Sequence, residues 1–181
     1  MTKILVTGGA GFIGSHLSEK LLKDPKVSRV ICVDNLDPVY PVKFKKENLL
    51  LLTANKKFKF YKTNIRDKPA LAKIFKREKP EYVIHLAAKT DTRTSLLEPY
   101  EYEAVNIGGT LNLLELSKNI KIKKFIFISS SSIYGNSTSK PPFRETEITD
   151  FPLSLYGVTK KAGEVISYSY FYNYGLSVTC I

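Results

Sequence analysis

Two side chains in the last third of the chain could move a proton together. Tyr156 and Lys160 stand four positions apart in a segment with a helical pattern, so they share one helix face. A nearby ammonium favours the tyrosinate form, which suits a general base acting on a hydroxyl. The same spacing also occurs on ordinary exposed helices, so the pair indicates a catalytic site only together with a further reactive group nearby. Four serines at positions 129–132 follow an apolar run and would place a hydroxyl beside the tyrosine.

A glycine-rich turn near the amino terminus predicts a site for a pyrophosphate. The sequence Thr-Gly-Gly-Ala-Gly-Phe-Ile-Gly fills positions 7–14, between an apolar strand pattern and an amphipathic helical pattern. Gly9 and Gly11 are expected to let the backbone turn tightly against phosphates, and Gly14 to let the helix pack close to the strand. The helix amino terminus would add unpaired N–H groups. Glycines also form ordinary turns, so the flanking elements matter as much as the spacing.

An acidic residue at the end of the next predicted strand fits the same site. Asp34 follows the apolar run 30–33 and lies twenty positions after Gly14, where a carboxylate would bind the ribose hydroxyls of NAD. Neither Asp34 nor Asn35 is an arginine that could accept a 2′-phosphate, so these residues favour NAD over NADP. The alternative is a solvated aspartate at a strand end. It is weaker because the glycine turn and Asp34 stand at the spacing that a dinucleotide site requires.

The elements that must position these residues alternate between strand and helix along the chain. Strands are predicted near 3–7, 29–34, 58–61, 81–86, 124–129 and 176–181, and helices near 12–23, 42–54, 67–77, 99–118 and 155–173. Several strands are continuous apolar runs, typical of a parallel sheet covered on both faces. The pattern predicts a three-layer α/β fold, a doubly wound parallel sheet of Rossmann type ordered 3-2-1-4-5-6. Ligands of such sheets bind outside the carboxyl ends of the strands.

Two segments need separate interpretation. Residues 135–153 contain three prolines and read as a long loop after strand five, and loops of that length are usually functional. Tyr168, Tyr170, Tyr172 and Tyr174 alternate as in a strand. They lie between a helical start and Gly175, a natural helix terminator, and are expected to pack on a helix.

Composition narrows the class of protein. At 181 residues the chain suits one packed domain, and its net charge of +11 comes mainly from lysines on expected helix ends and loops. Without a recognition helix or an aromatic RNA-binding motif, that charge predicts a solvated surface suited to an anionic cofactor and substrate, with no nucleic acid partner. No apolar stretch approaches a membrane span, and no signal pattern precedes the first strand, so no membrane association is expected.

Cysteine and histidine positions indicate neither a disulfide nor a metal site. Cys32 and Cys180 lie in apolar strand-like runs and are expected to be buried thiols in a reducing compartment, which predicts a cytoplasmic protein. His16 and His85 lie on separate elements without a ligand cluster. His85 is interpreted as a packed residue at a strand end.

These motifs resemble the extended short-chain dehydrogenase/reductase family, which comprises NAD-dependent nucleotide-sugar epimerases and dehydratases. The resemblance covers nearly the whole chain in the family's order and spacing. It rests on the glycine turn, the serine cluster before Tyr134-Gly135, Tyr156 with Lys160, and the segments Asp34-Asn35-Leu36, Asn64-Ile65-Arg66-Asp67, His85-Leu86-Ala87-Ala88 and Asn106-Ile107-Gly108-Gly109-Thr110.

The resemblance implies roles for the matching residues. Ser130, Tyr156 and Lys160 would be catalytic, with Ser130 in the family's Ser/Thr position, and Asn106 would support the fourth strand. Position 64 departs from the family's usual aspartate, but an asparagine oxygen can still accept a hydrogen bond from adenine. The implied cofactor is NAD, and the implied cofactor-binding residues are Gly8, Gly11, Phe12, Ile13, Gly14, Asp34, Asn35, Asn64, Ile65, Leu86, Ala87, Ala88, Asn106, Tyr156 and Lys160.

Acidic residues that are absent from this chain limit which of the family's reactions the resemblance implies. The related 4,6-dehydratases have an acidic pair after the catalytic Ser/Thr, and the decarboxylases have a glutamate there, whereas this chain has Ser131 and Ser132. Hydroxyls are poor substitutes for these acids, which leaves epimerisation through a transient 4-keto sugar. Residues 34–40 and Arg93-Thr94-Ser95 resemble the UDP-glucuronate 4-epimerase branch, with UDP-glucose as the alternative substrate. The expected substrate-binding residues are Arg93, Ser130 and Tyr156, and Arg93 could equally satisfy a nearby loop.

The sequence stops inside the predicted sixth strand, whereas the family continues into a smaller substrate domain. We therefore expect a single NAD-binding domain over residues 1–181, without the substrate domain, that binds UDP-sugar weakly on its own. A homodimer or a complementing carboxyl-terminal half would then be its partner. A non-catalytic NAD-binding module is the alternative, and a basic nucleic-acid-binding protein is a distant third.

Overall fold

Six strands form one parallel sheet in the computed structural model, which describes residues 2–138 and 141–181. The order is β3-β2-β1-β4-β5-β6, as predicted, and each neighbouring pair is parallel. The strands are β1 (Thr2–Thr7), β2 (Val27–Asp34), β3 (Phe58–Lys62), β4 (Tyr82–His85), β5 (Lys124–Phe127) and β6 (Val178–Cys180). The order reverses between β1 and β4, and a crevice opens there at the carboxyl edge.

Helices cover both faces of the sheet. They are α1 (Phe12–Lys23), α2 (Val42–Thr53), α3 (Lys68–Glu78), α4 (Thr94–Leu97), α5 (Pro99–Tyr102), α6 (Gly109–Ile120) and α7 (Leu155–Tyr174). Successive strand residues point to opposite faces, so Ile4 and Val6 pack in the core with α1 and α2, while Leu5 packs in the core with α3, α6 and α7. The result is the predicted three-layer α/β fold.

The predicted helix over 99–118 is continuous but consists of three segments, an α-helix, a π-helix and a second α-helix. Between α5 and α6 the chain forms a π-helical segment, Glu103–Gly108, before the regular helix resumes at Gly109. This widened turn contains Asn106, which is 3 % exposed. Such insertions often occur at functional sites. The short helix α4 was not predicted, because a single turn has too few residues to show a period.

Two local expectations have opposite outcomes. The tyrosine-rich segment is helical as predicted: α7 runs to Tyr174, and Gly175 ends it with φ +65°. The expectation that both cysteines are buried is wrong for Cys180, which is exposed, while Cys32 is buried. The reason is that, within residues 2–138 and 141–181, β6 is an edge strand paired with β5 on one side, so an apolar run there does not guarantee burial.

Candidate functional site

A cleft of about 410 Å³ opens at the carboxyl ends of β1 to β4. Its walls bring together most of the residues that the sequence predicted for a dinucleotide. The predicted residues that line it are Gly8, Gly11, Phe12, Ile13, Gly14, Asp34, Asn35, Asn64, Ile65, Leu86, Ala87 and Ala88. These residues are spread over eighty positions of sequence and meet because parallel strands end at one edge.

The glycine turn leaves room where a Cβ atom would collide with backbone. Gly8 has φ +68°, and a Cβ there would lie 2.8 Å from the Ala87 nitrogen. A Cβ at Gly14 would lie 2.3 Å from the Gly8 carbonyl oxygen, which fits the predicted close packing of α1. Gly9 was expected to let the backbone turn tightly against phosphates, but the structure gives a different reason for glycine there. A Cβ at Gly9 would lie 2.6 Å from the Cys32 Sγ, so the residue has to be small to pack on β2.

The amino terminus of α1 points its unpaired amides into this turn. The first amide to find a carbonyl one helical turn back is that of Ser15, which donates to Gly11 at 2.9 Å. The amides of residues 12–14 have no carbonyl partner of this kind, and Gly11 has no side chain that could cap them. Phe12 and Ile13 are 69 % and 63 % exposed. The turn therefore offers N–H donors and a positive dipole end to an anion.

Asp34 braces the glycine turn against the end of β2. Its Oδ2 accepts a hydrogen bond from the Ala10 amide at 3.1 Å, and its Oδ1 accepts one from the Leu36 amide at 2.8 Å. From α2, the Asn48 side chain donates to the Ala10 carbonyl at 3.0 Å. Each carboxylate oxygen can accept a further bond, so Asp34 can receive hydroxyl donors from the cleft. Burial and the neighbouring Asp34 carboxylate raise the pKa of the Cys32 thiol.

The far end of the cleft is formed by the loop after β3. Asn64 Oδ1 accepts the Arg66 amide at 2.9 Å, which fixes the side chain in a turn. Ile65 is buried, and its side chain occupies the space that a Cβ at Gly109 would need, with Cδ1 2.5 Å from that position. The carbonyl of Ile65 accepts a hydrogen bond from Asn112 on α6 at 3.1 Å. This loop is thus held by α6 while Asn64 and Ile65 face the cleft.

Tyr156 and Lys160 lie on one face of α7, as the spacing predicted. Lys160 Nζ is 6.0 Å from the centroid of the Tyr156 ring and 5.1 Å from that of Phe127. It donates a hydrogen bond to the Ile128 carbonyl at 2.8 Å, just beyond the end of β5. Burial lowers the pKa of Lys160 to about 8, so the ammonium is still mostly charged at pH 7.

The serine cluster lies against the first turn of α7. Ser130 caps the short 3₁₀ helix Ser131–Tyr134, and its Oγ accepts the Ser132 amide at 3.2 Å. A Cβ at Gly157 would be 2.6 Å from the Ser132 carbonyl, which shows how closely the two segments pack. The Ser129 hydroxyl is buried and has no hydrogen-bond partner within the described part of the chain. The segment that contains the serines thus packs against the first turn of α7. A serine hydroxyl beside Tyr156 stays a prediction.

Asn106 connects the cleft wall to the Tyr156 helix. Its Oδ1 accepts the Lys89 amide at 2.8 Å, while its Nδ2 donates to the Lys89 carbonyl at 2.9 Å and to Thr159 Oγ1 at 2.9 Å. Thr159 in turn donates to the Tyr156 carbonyl at 2.8 Å. Asn106 therefore holds the segment after β4, close to the predicted support of that strand, rather than lining the cleft.

Arg93 directly precedes α4, a short helix that contacts α7. It is exposed at the amino-terminal end of α4, and its carbonyl accepts the Leu96 amide at 3.0 Å. It is not among the residues that form the cleft wall. Ser130, Tyr156 and Lys160 lie outside this wall as well, on the segment after β5 and on α7. The cleft therefore brings together residues predicted for the dinucleotide, but none of those predicted for catalysis or substrate binding.

Sequence reasoning missed two lysines that line the cleft. Lys45 is one of the lysines expected on a solvated surface, yet it is 9 % exposed, and its Nζ donates to the Asp37 carbonyl at 3.0 Å. Lys89 pairs with Glu98, with Nζ 3.4 Å from Oε2. A weak signal existed for Lys89, which directly follows the apolar motif ending at Ala88.

None of the described helices is both long and apolar enough to cross a membrane. Across residues 2–138 and 141–181, no three His, Cys, Asp or Glu side chains cluster as metal ligands would.

Known proteins resemble this chain in sequence and in fold over nearly its whole length. Residues 4–181 match the model of the NAD dependent epimerase/dehydratase family. A UDP-glucuronate 4-epimerase from Thermodesulfobacterium geofontis is 46% identical over 177 residues, which cover 98% of this chain and 54% of that protein. The crystal structure of a Bacillus cereus UDP-glucuronic acid 4-epimerase with UDP-glucuronic acid and NAD has a TM-score of 0.89 at 38% identity, covering 99% of this chain and 55% of that one.

A UDP-glucose 4-epimerase is similar to nearly the same degree. The Thermotoga maritima enzyme with UDP-glucose has a TM-score of 0.87 at 40% identity and covers 99% of this chain and 54% of that one. The chain thus spans about half the length of the relatives it matches.

Proposed function

Because the chain belongs to the NAD dependent epimerase/dehydratase family, we propose that it provides the NAD site and the proton-transfer residues of a UDP-sugar 4-epimerase. One observation carries this proposal. A buried lysine lies beneath a tyrosine ring, with Nζ 6.0 Å from the ring centroid, and is bonded to the carbonyl just after β5. The pair thus lies at the carboxyl edge of the sheet, the edge at which the glycine turn follows β1, although neither residue lines the cleft. An epimerase of this kind needs a hydride acceptor and a proton acceptor close to one sugar carbon.

The residues of the cleft fit NAD. The free amides after Gly11 and the space at Gly8 and Gly14 would hold the pyrophosphate, since Cβ atoms there would fill the turn. Asp34 would receive the adenosine ribose hydroxyls, helped by Asn35. Asn64 and Ile65 would flank the adenine, and Leu86, Ala87 and Ala88 would contact the middle of the cofactor. When bound, NAD would take a hydride from the sugar carbon and return it.

Tyr156, Lys160 and Ser130 would move and hold the proton. Tyr156 would take it from the C4 hydroxyl as the sugar is oxidised and return it when the 4-keto sugar is reduced. The Lys160 ammonium, held by the Ile128 carbonyl, would stabilise the phenolate form of Tyr156 and bind the nicotinamide ribose. Ser130 would donate a hydrogen bond to the reacting oxygen. Epimerisation follows if the keto sugar turns over before reduction.

UDP-glucuronate is the favoured substrate, with UDP-glucose as the alternative. The 46% identity to a UDP-glucuronate 4-epimerase supports this choice, together with the motifs at residues 34–40 and 93–95. Ser131 and Ser132 stand where dehydratases and decarboxylases have acids, and therefore argue against elimination or decarboxylation. Arg93 stays a candidate for the anionic groups of the substrate.

The second half of the substrate site has to come from elsewhere if the chain acts as a domain of this size. The relatives are about twice as long, so we propose that residues 1–181 are the NAD-binding domain and that a further domain, a second copy or a complementing half encloses the UDP-sugar. The alternative is an NAD-binding module without turnover. A cytoplasmic location stays a prediction.

The test combines NAD binding with product analysis. The purified chain is titrated with NAD by calorimetry and then incubated with NAD and UDP-glucuronate, or UDP-glucose, before chromatography for the C4 epimer. We expect NAD to bind, and any epimer to disappear in Tyr156→Phe while NAD affinity stays within about twofold. Tyr168→Phe, exposed on the same helix, is the matched control.

The outcomes separate the two candidate functions. Failure of the folded chain to bind NAD would overturn both. NAD binding with an epimer that persists in Tyr156→Phe would refute the assigned proton acceptor. NAD binding without an epimer favours the module that needs its other half.

A further inference from the structure

A buried histidine lies between the cofactor cleft and the Tyr156 helix, where the proposed function gives it no role. His85 ends β4, is 2 % exposed, and has the Phe125 and Phe127 rings at 6.1 and 5.9 Å. Both ring nitrogens nevertheless have polar partners. Nδ1 is 2.7 Å from Thr7 Oγ1, and Nε2 is 2.9 Å from Thr110 Oγ1.

The partners of the two threonines fix the direction of every hydrogen bond. Thr110 Oγ1 donates to the Asn106 carbonyl, so it has to accept from His85 Nε2–H. Thr7 Oγ1 accepts the Ala87 amide at 3.1 Å and has its own proton left for Nδ1. A neutral imidazole with its proton on Nε2 satisfies all of these groups at once, whereas an imidazolium would take from the Thr7 hydroxyl proton the acceptor that Nδ1 provides.

This chain of hydrogen bonds joins the two halves of the site. At one end, Thr7 holds the amide of Ala87, which lines the cleft. At the other end, Asn106 holds Thr159, which bonds to the Tyr156 carbonyl. Burial, followed by the nearby Lys160 ammonium, lowers the pKa of His85 to about 3, consistent with a neutral ring.

We propose that His85 is a positioning residue, fixed as the neutral Nε2–H tautomer, which couples the cofactor-cleft wall at Ala87 to the amino-terminal turn of α7. The functional part of this inference rests on the proposed NAD site, but the tautomer and the coupling do not. The altered group in the test is the Thr110 hydroxyl, because Thr110→Val keeps the shape and removes both the acceptor of His85 Nε2–H and the donor to the Asn106 carbonyl. Thr110→Ser restores that acceptor.

The tautomer can be observed directly. The chain contains two histidines, so a ¹⁵N-histidine-labelled sample gives two resolvable rings in long-range ¹H–¹⁵N correlation spectra, with exposed His16 as the internal reference. We expect His85 to show a protonated Nε2 and an unprotonated Nδ1, unchanged between pH 5 and 8. An Nδ1–H tautomer or an imidazolium in that range would overturn the proposal.

The coupling is measured by amide hydrogen exchange at Ala87, relative to Ile31, which is buried in β2 and reports global opening. We expect Thr110→Val to raise the Ala87 rate relative to Ile31 by about tenfold, the effect of an unpaired buried donor, and Thr110→Ser to restore it within about twofold. Equal changes at both amides would make the network an ordinary part of the core and refute the coupling.

NAD titration of the same variants tests the functional part. We expect Thr110→Val to weaken NAD binding about tenfold and Thr110→Ser to bind like the wild type. A Thr110→Val protein with lowered thermal stability and unchanged NAD affinity would overturn the positioning role. If the wild type itself does not bind NAD, the proposed function fails, and the tautomer and exchange results alone decide whether His85 couples the two segments.

Discussion

The burial of Lys160 predicts a pH-dependent stability that one substitution should remove. The residue is 4 % exposed, and burial lowers the pKa of Lys160 from its ordinary 10.5 to about 8. The folded protein therefore binds this proton less tightly than the unfolded chain does. At pH 7 both states hold the proton, so the folded state bears the full cost, about 3 kcal/mol at about 1.4 kcal/mol per tenfold change in proton affinity.

This cost disappears as the pH rises. Between pH 8 and 10.5 the folded protein has released a proton that the unfolded chain still binds, so the contribution of Lys160 to stability increases with pH. Lys160→Met removes the titrating group. It also leaves the Ile128 carbonyl without its donor, which costs about 1–3 kcal/mol at every pH. The net effect of the substitution at pH 7 is thus small, but its pH dependence is large.

The assay is urea unfolding at pH 7 and pH 10 without cofactor. From pH 7 to pH 10, we expect the free energy of unfolding of the wild type to rise by about 2–3 kcal/mol relative to that of Lys160→Met. Other titrating groups are common to both proteins and cancel in the difference. Lys20→Met, on the exposed side of α1, controls for the loss of one lysine. A difference between wild type and Lys160→Met that is the same at both pH values would refute the desolvation of Lys160.

Three further outcomes are expected. Gly14→Ala should destabilise the fold by about 1–3 kcal/mol in urea unfolding and weaken NAD binding, because its Cβ meets the Gly8 carbonyl at 2.3 Å; an unchanged NAD affinity would contradict the assigned turn. Asp34→Ala should weaken NAD binding in calorimetry at least tenfold, because the glycine turn loses its brace, while Asp34→Asn keeps one acceptor and should lose less. A maleimide should label Cys180 in the native protein and Cys32 only after unfolding, as measured by mass spectrometry of the labelled peptides. Labelling of Cys32 in the native protein would contradict its burial.

Much of the fold follows from patterns that are local in sequence. Continuous apolar runs separated by helical periods predicted the parallel sheet and its strand order, since buried strands need covering on both faces. The glycine turn and Asp34 were predicted from their spacing, and both line the cleft. Tyr156 and Lys160 were predicted to share a face because helix geometry alone brings such a pair together.

Other features depend on partners that are distant in sequence. Apolar neighbours alone did not show that Cys180 is exposed, because that depends on its strand being the last in the sheet. Lys45 looks like its neighbouring surface lysines until the Asp37 carbonyl and the cleft enclose it. The π-helical turn at Glu103–Gly108 interrupts a helix whose sequence period is continuous.

The sequence by itself determined the elements, their order and which residues reach the carboxyl edge, because backbone geometry and hydrophobic period act over a few residues. Tertiary structure alone decided the protonation of the site. His85 meets Thr7 across 78 positions of sequence, and the lowered pKa of Lys160 comes from the packing around it. Burial and hydrogen-bond direction are properties of the assembled core, where the cost of an unpaired charge or donor is set by every element that surrounds it.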